Sequence, residues 1–140
     1  MGSPGNGTPH HVSGELFKLM TGTNLVHIPY RGSAPALTDL MAGQVQVMFE
    51  AVTASLEYIR AGKLRALAVT SARPSVALPN LPCLADFIPN YAATGWYGVG
   101  APRGTPPAII DRLNTEINAG LANADKRAPR NGGRWISQRL

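Results

Sequence analysis

Residues 25–50 read LVHIPYRGSAPALTDLMAGQVQVMFE. Leu25 to Tyr30 carries β-branched residues and no helical period, which predicts a short strand. Tyr30-Arg31-Gly32-Ser33 predicts a turn, with Ser33 as the N-cap of the helix that follows. Leu37, Leu40 and Met41 form one apolar helical face, and Gly43 stops it. Val45 to Phe49 then predicts a second strand. Strand, helix and strand within 26 residues is the unit of a parallel sheet, because two parallel strands need a crossover between them.

The same alternation extends both ways. Downstream, Val52, Leu56 and Ile59 give another helical face closed by Gly62, and Leu64 to Val69 predicts a third strand. Upstream, a glycine-rich loop from Gly2 to Gly7 leads into Thr8-Pro9. Thr8 is a good N-cap, and Pro9 at the first helical position lacks an N–H that would be orphaned there. Val12, Leu16, Leu19 and Met20 follow at helical spacing, with Gly22 as the stop. The predicted fold class is therefore α/β, a mostly parallel sheet flanked by helices. On this reading the chain opens on the loop, and the strand that should precede it is missing. Thr70 to Asn90 holds Pro74, Pro79, Pro82 and Pro89 and predicts a connector with one short helix around Leu84 to Phe87. Trp96 to Ala101 predicts a strand, with Trp96 and Tyr97 read as core or hinge packing. Thr105 is expected to cap a helix whose face is Ile110, Leu113, Ile117 and Leu121. Periodicity ends after Ala122.

Composition narrows the function classes. At 140 residues and 44% hydrophobic, the chain can bury a core and is not a disordered segment. No apolar run approaches the ~18 residues of a membrane span. A single cysteine, Cys83, excludes an internal disulfide and a cysteine-based zinc site. The net charge of +5 is unevenly placed. From Asn123 to Leu140 five basic residues stand against Asp125, leaving +4, while eight basic against seven acidic leave +1 over residues 1–122. A basic tail of this kind reads as a solvated extension. Nucleic-acid binding would need a recognition helix or a stacking platform, which Trp135 alone does not make.

In an open parallel sheet, ligands bind beyond the carboxyl ends of the strands. Three loops belong to that edge: Ser3 to Thr8, Arg31 to Pro35 and Glu50 to Thr53. Helix N-termini there favour an anion, glycines 5, 7 and 32 let backbone approach it, and Ser3, Thr8 and Ser33 add hydroxyls. A carboxylate or other small anion fits such an edge, although spacing alone favours turns and caps. Gly5-Asn6-Gly7 lacks the third glycine of a dinucleotide loop and the lysine of a P-loop. Glu50 reads either as an acceptor for a ligand hydroxyl, amine or protonated carboxyl, or as a solvated loop acid. His10 and His11 are adjacent and cannot form an i, i+4 metal pair, so the histidines read as structural and no metal is expected. No nucleophile and general base occur together in a motif, so no catalytic residue is expected.

Four ordered runs carry a resemblance. They are Gly2-Ser3-Pro4-Gly5-Asn6-Gly7-Thr8-Pro9-His10-His11-Val12-Ser13-Gly14-Glu15-Leu16-Phe17, His27-Ile28-Pro29-Tyr30-Arg31-Gly32-Ser33-Ala34-Pro35-Ala36, Gly62-Lys63-Leu64-Arg65-Ala66-Leu67-Ala68-Val69-Thr70 and Trp96-Tyr97-Gly98-Val99-Gly100-Ala101-Pro102. Together they resemble the tripartite tricarboxylate transporter solute receptors, also called Bug-type receptors, from Gly2 to about Ala122. The resemblance implies one lobe of a two-lobed, type II-like periplasmic-binding-protein fold, incomplete at both ends. Residues 1–95 would be the ligand-binding second lobe without its first strand. Residues 96–122 would return toward the first lobe, and residues 123–140 would be a non-native or disordered basic tail.

What such receptors do is likewise implied by the resemblance. They are extracytoplasmic, need no cofactor, catalyse nothing, and present a small carboxylate to membrane transporter subunits. Carried over by position, ligand contacts would come from Ser3, Gly5, Gly7 and Thr8 in the first loop. Tyr30, Gly32, Ser33 and Ala34 would supply the second, and Glu50, where the family often has Asp, would supply another. The chain reads as a truncated or frame-shifted remnant, weak or inactive alone, with self-association expected through an exposed helix face. Its localisation would be periplasmic by resemblance, but Met1 to Gly7 has neither a basic nor an apolar signal region, so as written the chain would stay cytoplasmic. No nucleic acid is expected as partner. The alternative reading is a basic α/β nucleic-acid-associated module that uses the arginine-rich tail.

Overall fold

A computed structural model describes residues 1–122, so the basic stretch 123–140, with the tail assignment and the nucleic-acid alternative that depend on it, lies outside the described residues. The chain divides into two units, Met1–Gly95 and Trp96–Leu140. No helix among the described residues is long and apolar enough to cross a membrane.

The first unit runs β1 (Gly2–Ser3), α1 (Pro9–Thr21), β2 (Ile28–Pro29), α2 (Ser33–Met41) and α3 (Val52–Arg60), followed by a 3-10 turn at Leu84–Asp86. β1 and β2 pair in parallel, Gly2 opposite Ile28 and Ser3 opposite Pro29. Sequence reading leaves Gly2 and Ser3 in the loop and the first strand missing; instead they form that strand. Its hydrogen bonds explain why two residues suffice. The Met1 and Ser3 carbonyls accept from Ile28 N and Tyr30 N, both at 2.9 Å, while Gly2 N turns the other way and donates to Val47 O at 2.9 Å. A parallel bridge joins Gly2 to Met48. β1 therefore lies between β2 and the Val47–Met48 segment. Space there is tight, since a Cβ on Gly2 would meet Val45 Cγ2 at 3.2 Å.

The helices follow their local signals more closely than the strands do. α1 starts as expected: Thr8 has an extended backbone and its Oγ1 accepts from His11 N, with proline in the first turn. Gly22, in the left-handed region, closes α1 by donating to Lys18 O. α2 departs from expectation, because its N-cap is Gly32 rather than Ser33, which is the first helical residue. Gly32 sits at φ +112°, a conformation that disfavours serine and suits glycine. The short helix expected at Leu84 to Phe87 is the 3-10 turn, where Asp86 Oδ2 accepts from Cys83 N at 2.9 Å.

Three predicted strands shrink or vanish. Of Val45 to Phe49, Met48 makes the bridge, and of Leu64 to Val69, Val69 bridges in parallel to Cys83. Trp96 to Ala101 forms no strand, and Trp96, Tyr97 and Val99 are exposed rather than packed as core. Apolar, β-branched runs satisfy strand propensity, but a ladder also needs a neighbouring strand in register. Among the described residues none lies beside 96–101.

The core of the first unit is small: Met1, Ala36, Leu37, Val45, Leu56, Val69, Cys83 and Tyr91 are buried. Tyr91 is 1% exposed and its hydroxyl donates to Ser13 O at 2.9 Å, tying the end of the connector to the middle of α1. Burial pushes the Tyr91 phenol up to about 12.

The second unit carries α4 (Pro107–Ala122). Thr105 does not sit at its N-cap position, which is Pro106. The Thr105 hydroxyl donates back to Pro102 O at 2.8 Å and closes the preceding turn. Ile109, Ile110, Leu113 and Ile117 are exposed along α4.

Candidate functional site

The first two loops are joined by backbone. Gly32 N donates to Pro4 O at 3.0 Å, Tyr30 N to Ser3 O at 2.9 Å, and a Cβ on Gly5 would lie 3.5 Å from Tyr30 O. β1 and β2 are parallel neighbours, so the loops leaving them emerge side by side. The sheet thus brings Ser3, Gly5, Thr8, Tyr30, Gly32 and Ser33 to one edge.

Within the first loop each polar group already has a partner. Ser3 is fully buried; its Oγ lies 2.6 Å from His27 Nε2 and 3.2 Å from both Gly5 O and Gly5 N. Thr8 Oγ1 donates to Gly5 O at 2.8 Å while accepting from His11 N at 3.3 Å. Gly7, at φ +73°, donates its N–H to His11 Nδ1 at 3.1 Å. A left-handed residue there turns the amide back over the helix start, and glycine does so without strain. In the second loop the Tyr30 hydroxyl donates to Asp39 Oδ2 at 2.8 Å, and that bond raises its pKa above the ordinary value. The phenol is thus directed at α2. Ala34 is exposed in the first turn of α2.

Glu50 connects the third loop to the others. Its side chain is 5% exposed, and its Oε1 lies 2.9 Å from His10 Nε2 in α1 and accepts from Ala51 N at 2.7 Å. Burial pushes its pKa up, but the His10 contact, the Ala51 N–H and the nearby Ser33 hydroxyl outweigh burial and hold it below the ordinary range. It is not a solvated loop acid. His10 arrives from the first turn of α1, Ser33 is the first residue of α2, and Glu50 itself leads into α3. One carboxylate therefore gathers three helix N-termini, whose partial positive charge favours the ionised form. Its Oε2 and the Nδ1 of His10 are buried without a hydrogen-bond partner. Sequence reading missed His10, because it tested the histidines only for a metal pair within one helix. The available signal was its position, two residues after a helix cap on the ligand-facing edge.

The Ser3–His27 contact has the reach of a base-activated nucleophile. Complete burial of Ser3 closes it to any substrate, and the pair instead fixes the loop. Among the described residues no group of three His, Cys, Asp or Glu side chains could hold a metal ion. What the edge offers a ligand is backbone. α2 begins without any side-chain cap, as does α3, so no side chain caps the first-turn amides of either helix. An anion placed there meets N–H donors and the positive end of the helix.

Known proteins share this architecture. The tripartite tricarboxylate transporter family receptor matches residues 1–128. Protein BugT of Bordetella pertussis is 45% identical over 116 residues, which cover 82% of this chain and 36% of BugT. The solved structure of R. palustris Rpa4515 with adipate superposes with a TM-score of 0.86 at 42% identity, covering 89% of this chain and 42% of the other. MatC (Rpa3494) from Rhodopseudomonas palustris with bound malate gives a TM-score of 0.78 at 28% identity, covering 84% and 40%. The chain spans less than half the length of each of these three proteins.

Proposed function

The chain belongs to the tripartite tricarboxylate transporter receptor family, and on that premise we propose that it forms the second-lobe portion of an extracytoplasmic receptor for a small carboxylate. The receptor would hand its ligand unchanged to membrane transporter subunits. The observation that supports this most is the gathering of three helix N-termini around Glu50, with α1 capped by Thr8 and the first-turn amides of α2 and α3 without a side-chain cap. The bound adipate of Rpa4515 and malate of MatC give the chemical class.

Roles follow from the geometry. The ligand carboxylate is taken by the Ser33 and Ala34 amides, with the Gly5 and Gly7 backbone alongside. Ser3 and Thr8 shape the loop rather than touch the ligand, since their hydroxyls are engaged by protein groups. Tyr30 buttresses α2 through Asp39. Glu50 sets the spacing of the helix ends and repels an anion that strays toward α3.

Affinity in a two-lobed receptor comes from closure, which removes water and strengthens each polar contact. One lobe alone binds weakly. Amide NMR shifts should therefore be followed while adipate or malate is added at millimolar concentration, with the matching neutral diamides as controls. The expected result is movement of Ser33, Ala34, Gly5 and Gly7 by the acids only. Shifts spread evenly over the chain, or equal shifts with the diamides, would overturn the carboxylate site. Micromolar affinity in calorimetry would overturn the one-lobe assignment.

A further inference from the structure

Beneath the glycine-rich loop two imidazoles stack, those of His11 and His27, with centroids 4.0 Å apart and planes inclined by 24°. Each holds one part of the loop. His11 Nδ1 faces the Gly7 N–H at 3.1 Å, and His27 Nε2 meets Ser3 Oγ, which in turn contacts Gly5. We propose that this pair is a proton-operated latch: neutral His11 holds Gly7 in its turned conformation, and a proton on Nδ1 releases the loop. The functional consequence, loss of the ligand-facing loop shape in acid, rests on the receptor reading above; the latch itself does not.

The chemistry is one of donors and acceptors. A backbone N–H can only donate, so the Gly7 contact requires a lone pair on His11 Nδ1. Neutral His11 must then carry its proton on Nε2, which points toward Glu15 Oε1 at 3.6 Å. Imidazolium has N–H at both nitrogens, so protonation sets two donors against each other at the Gly7 contact. It also places a charge against the face of His27.

The charged groups around the stack are Glu15 and Lys18 on α1 and the Met1 ammonium beside β2. Glu15 favours the protonated form, but both its oxygens are 2.9 Å from Lys18 Nζ, which claims much of its charge. Lys18 and the Met1 ammonium repel a second cation on the ring stack, and burial, chiefly, with these charges keeps His27 below its ordinary range. Of the two rings, His11 is the one whose Nδ1 faces the Gly7 N–H, so the latch is placed there.

The test is NMR of the full chain between about pH 8 and about pH 5, the window in which an imidazole titrates. At the alkaline end, ¹⁵N shifts of the ring should show His11 as the Nε2–H tautomer. As the ring titrates, the Gly7 amide resonance should move with it, and its protection against exchange should fall about fivefold, the effect of one lost hydrogen bond. His11→Asn places an oxygen where Nδ1 was, so Gly7 should remain protected at every pH. His11→Ala should leave it unprotected throughout. An Nδ1–H tautomer in the native chain, a Gly7 amide indifferent to the His11 titration, or a pH response that survives His11→Asn would each overturn the latch. The tautomer needs no variant and no ligand, so it is read even if a variant fails to fold and whatever the receptor reading's fate.

Discussion

Replacing His10 by alanine removes one of the donors from a carboxylate that has almost no access to water. Glu50 Oε1 would keep the Ala51 N–H at 2.7 Å and lose His10 Nε2 at 2.9 Å. A hydrogen bond to a charged group contributes about 1.5–3 kcal/mol, and the 5% exposure of Glu50 leaves little room for water to replace it. Alanine's better helix propensity returns about 0.5 kcal/mol. The expected loss is therefore about 1–2.5 kcal/mol. With a urea m-value of about 1–3 kcal/mol per molar, the midpoint should fall by roughly 1 M. Glu50→Gln preserves shape and an accepting oxygen and should cost about 1 kcal/mol near neutrality. Its pH dependence discriminates further. Glu50 is held below the ordinary glutamate value of 4.5, so its stabilising contribution is complete above that value and is lost as pH falls through the lower folded value. Glutamine does not titrate, so the gap between native chain and variant should close as pH drops below 4.5. Urea denaturation followed by far-UV circular dichroism at several pH values measures both effects. A His10→Ala loss below about 0.5 kcal/mol, the scale of an ordinary surface substitution, or a Gln variant gap that stays constant through acid, would refute the buried-pair reasoning.

Three further outcomes are expected. Thr8→Ala removes the α1 cap and its bond to Gly5 O and should cost about 1 kcal/mol in urea denaturation, whereas Thr8→Ser should cost much less. Tyr91→Phe deletes the bond to Ser13 O and should cost about 1 kcal/mol, while Tyr91→Ala, which also opens a cavity, should cost about 3–5 kcal/mol. The raised Tyr91 phenol contributes stability that is complete below its ordinary value of 10.0 and is lost as pH rises toward about 12. An alkaline unfolding series should show that loss in the native chain and a smaller one in Tyr91→Phe.

How much of this was readable beforehand depends on the range of the interaction. α1 was legible to the residue at its start, because Thr8, Pro9 and Gly22 act within one turn of where they stand. α2 was legible as a helix but not in its cap: Ser33 has the right side chain, and the deciding factor was the φ of Gly32, set by the bond from its N–H to Pro4 O. The strands were least legible. Val45 to Phe49 and Leu64 to Val69 have strand composition, yet one residue of each pairs, since pairing depends on partners tens of residues away. β1 was missed for the converse reason. Gly2 and Ser3 look like loop, and only the close approach of Val45 and Tyr30 explains a glycine there. At the site, Glu50 stood out from its place after an apolar run. His10 did not, because its meaning lies in a partner forty positions away.

A carboxylate built into a site proposed for carboxylates looks contradictory until the three helix ends are assigned separately. α1 is capped by the Thr8 hydroxyl. α3 has no side-chain cap, but Glu50 directly precedes it and its Oε1 takes the N–H of the N-cap residue Ala51. Of the three, α1 is the one with a side-chain cap. α2 and α3 both begin with first-turn amides that no side chain caps. On the proposed reading an anion at α3 would meet the Glu50 carboxylate next to it in sequence, whereas Ala34, one residue into α2, is exposed. On that proposal Glu50 acts by exclusion, favouring Ser33 and Ala34 as the place of a ligand carboxylate. It follows that Glu50→Gln, though less stable, should not weaken adipate-induced shifts at those amides, and new shifts should emerge at Val52 and Thr53 as the repulsion is removed. If the substitution abolished the Ser33 and Ala34 shifts while the fold persisted, Glu50 would be a direct ligand contact and exclusion would be the wrong account.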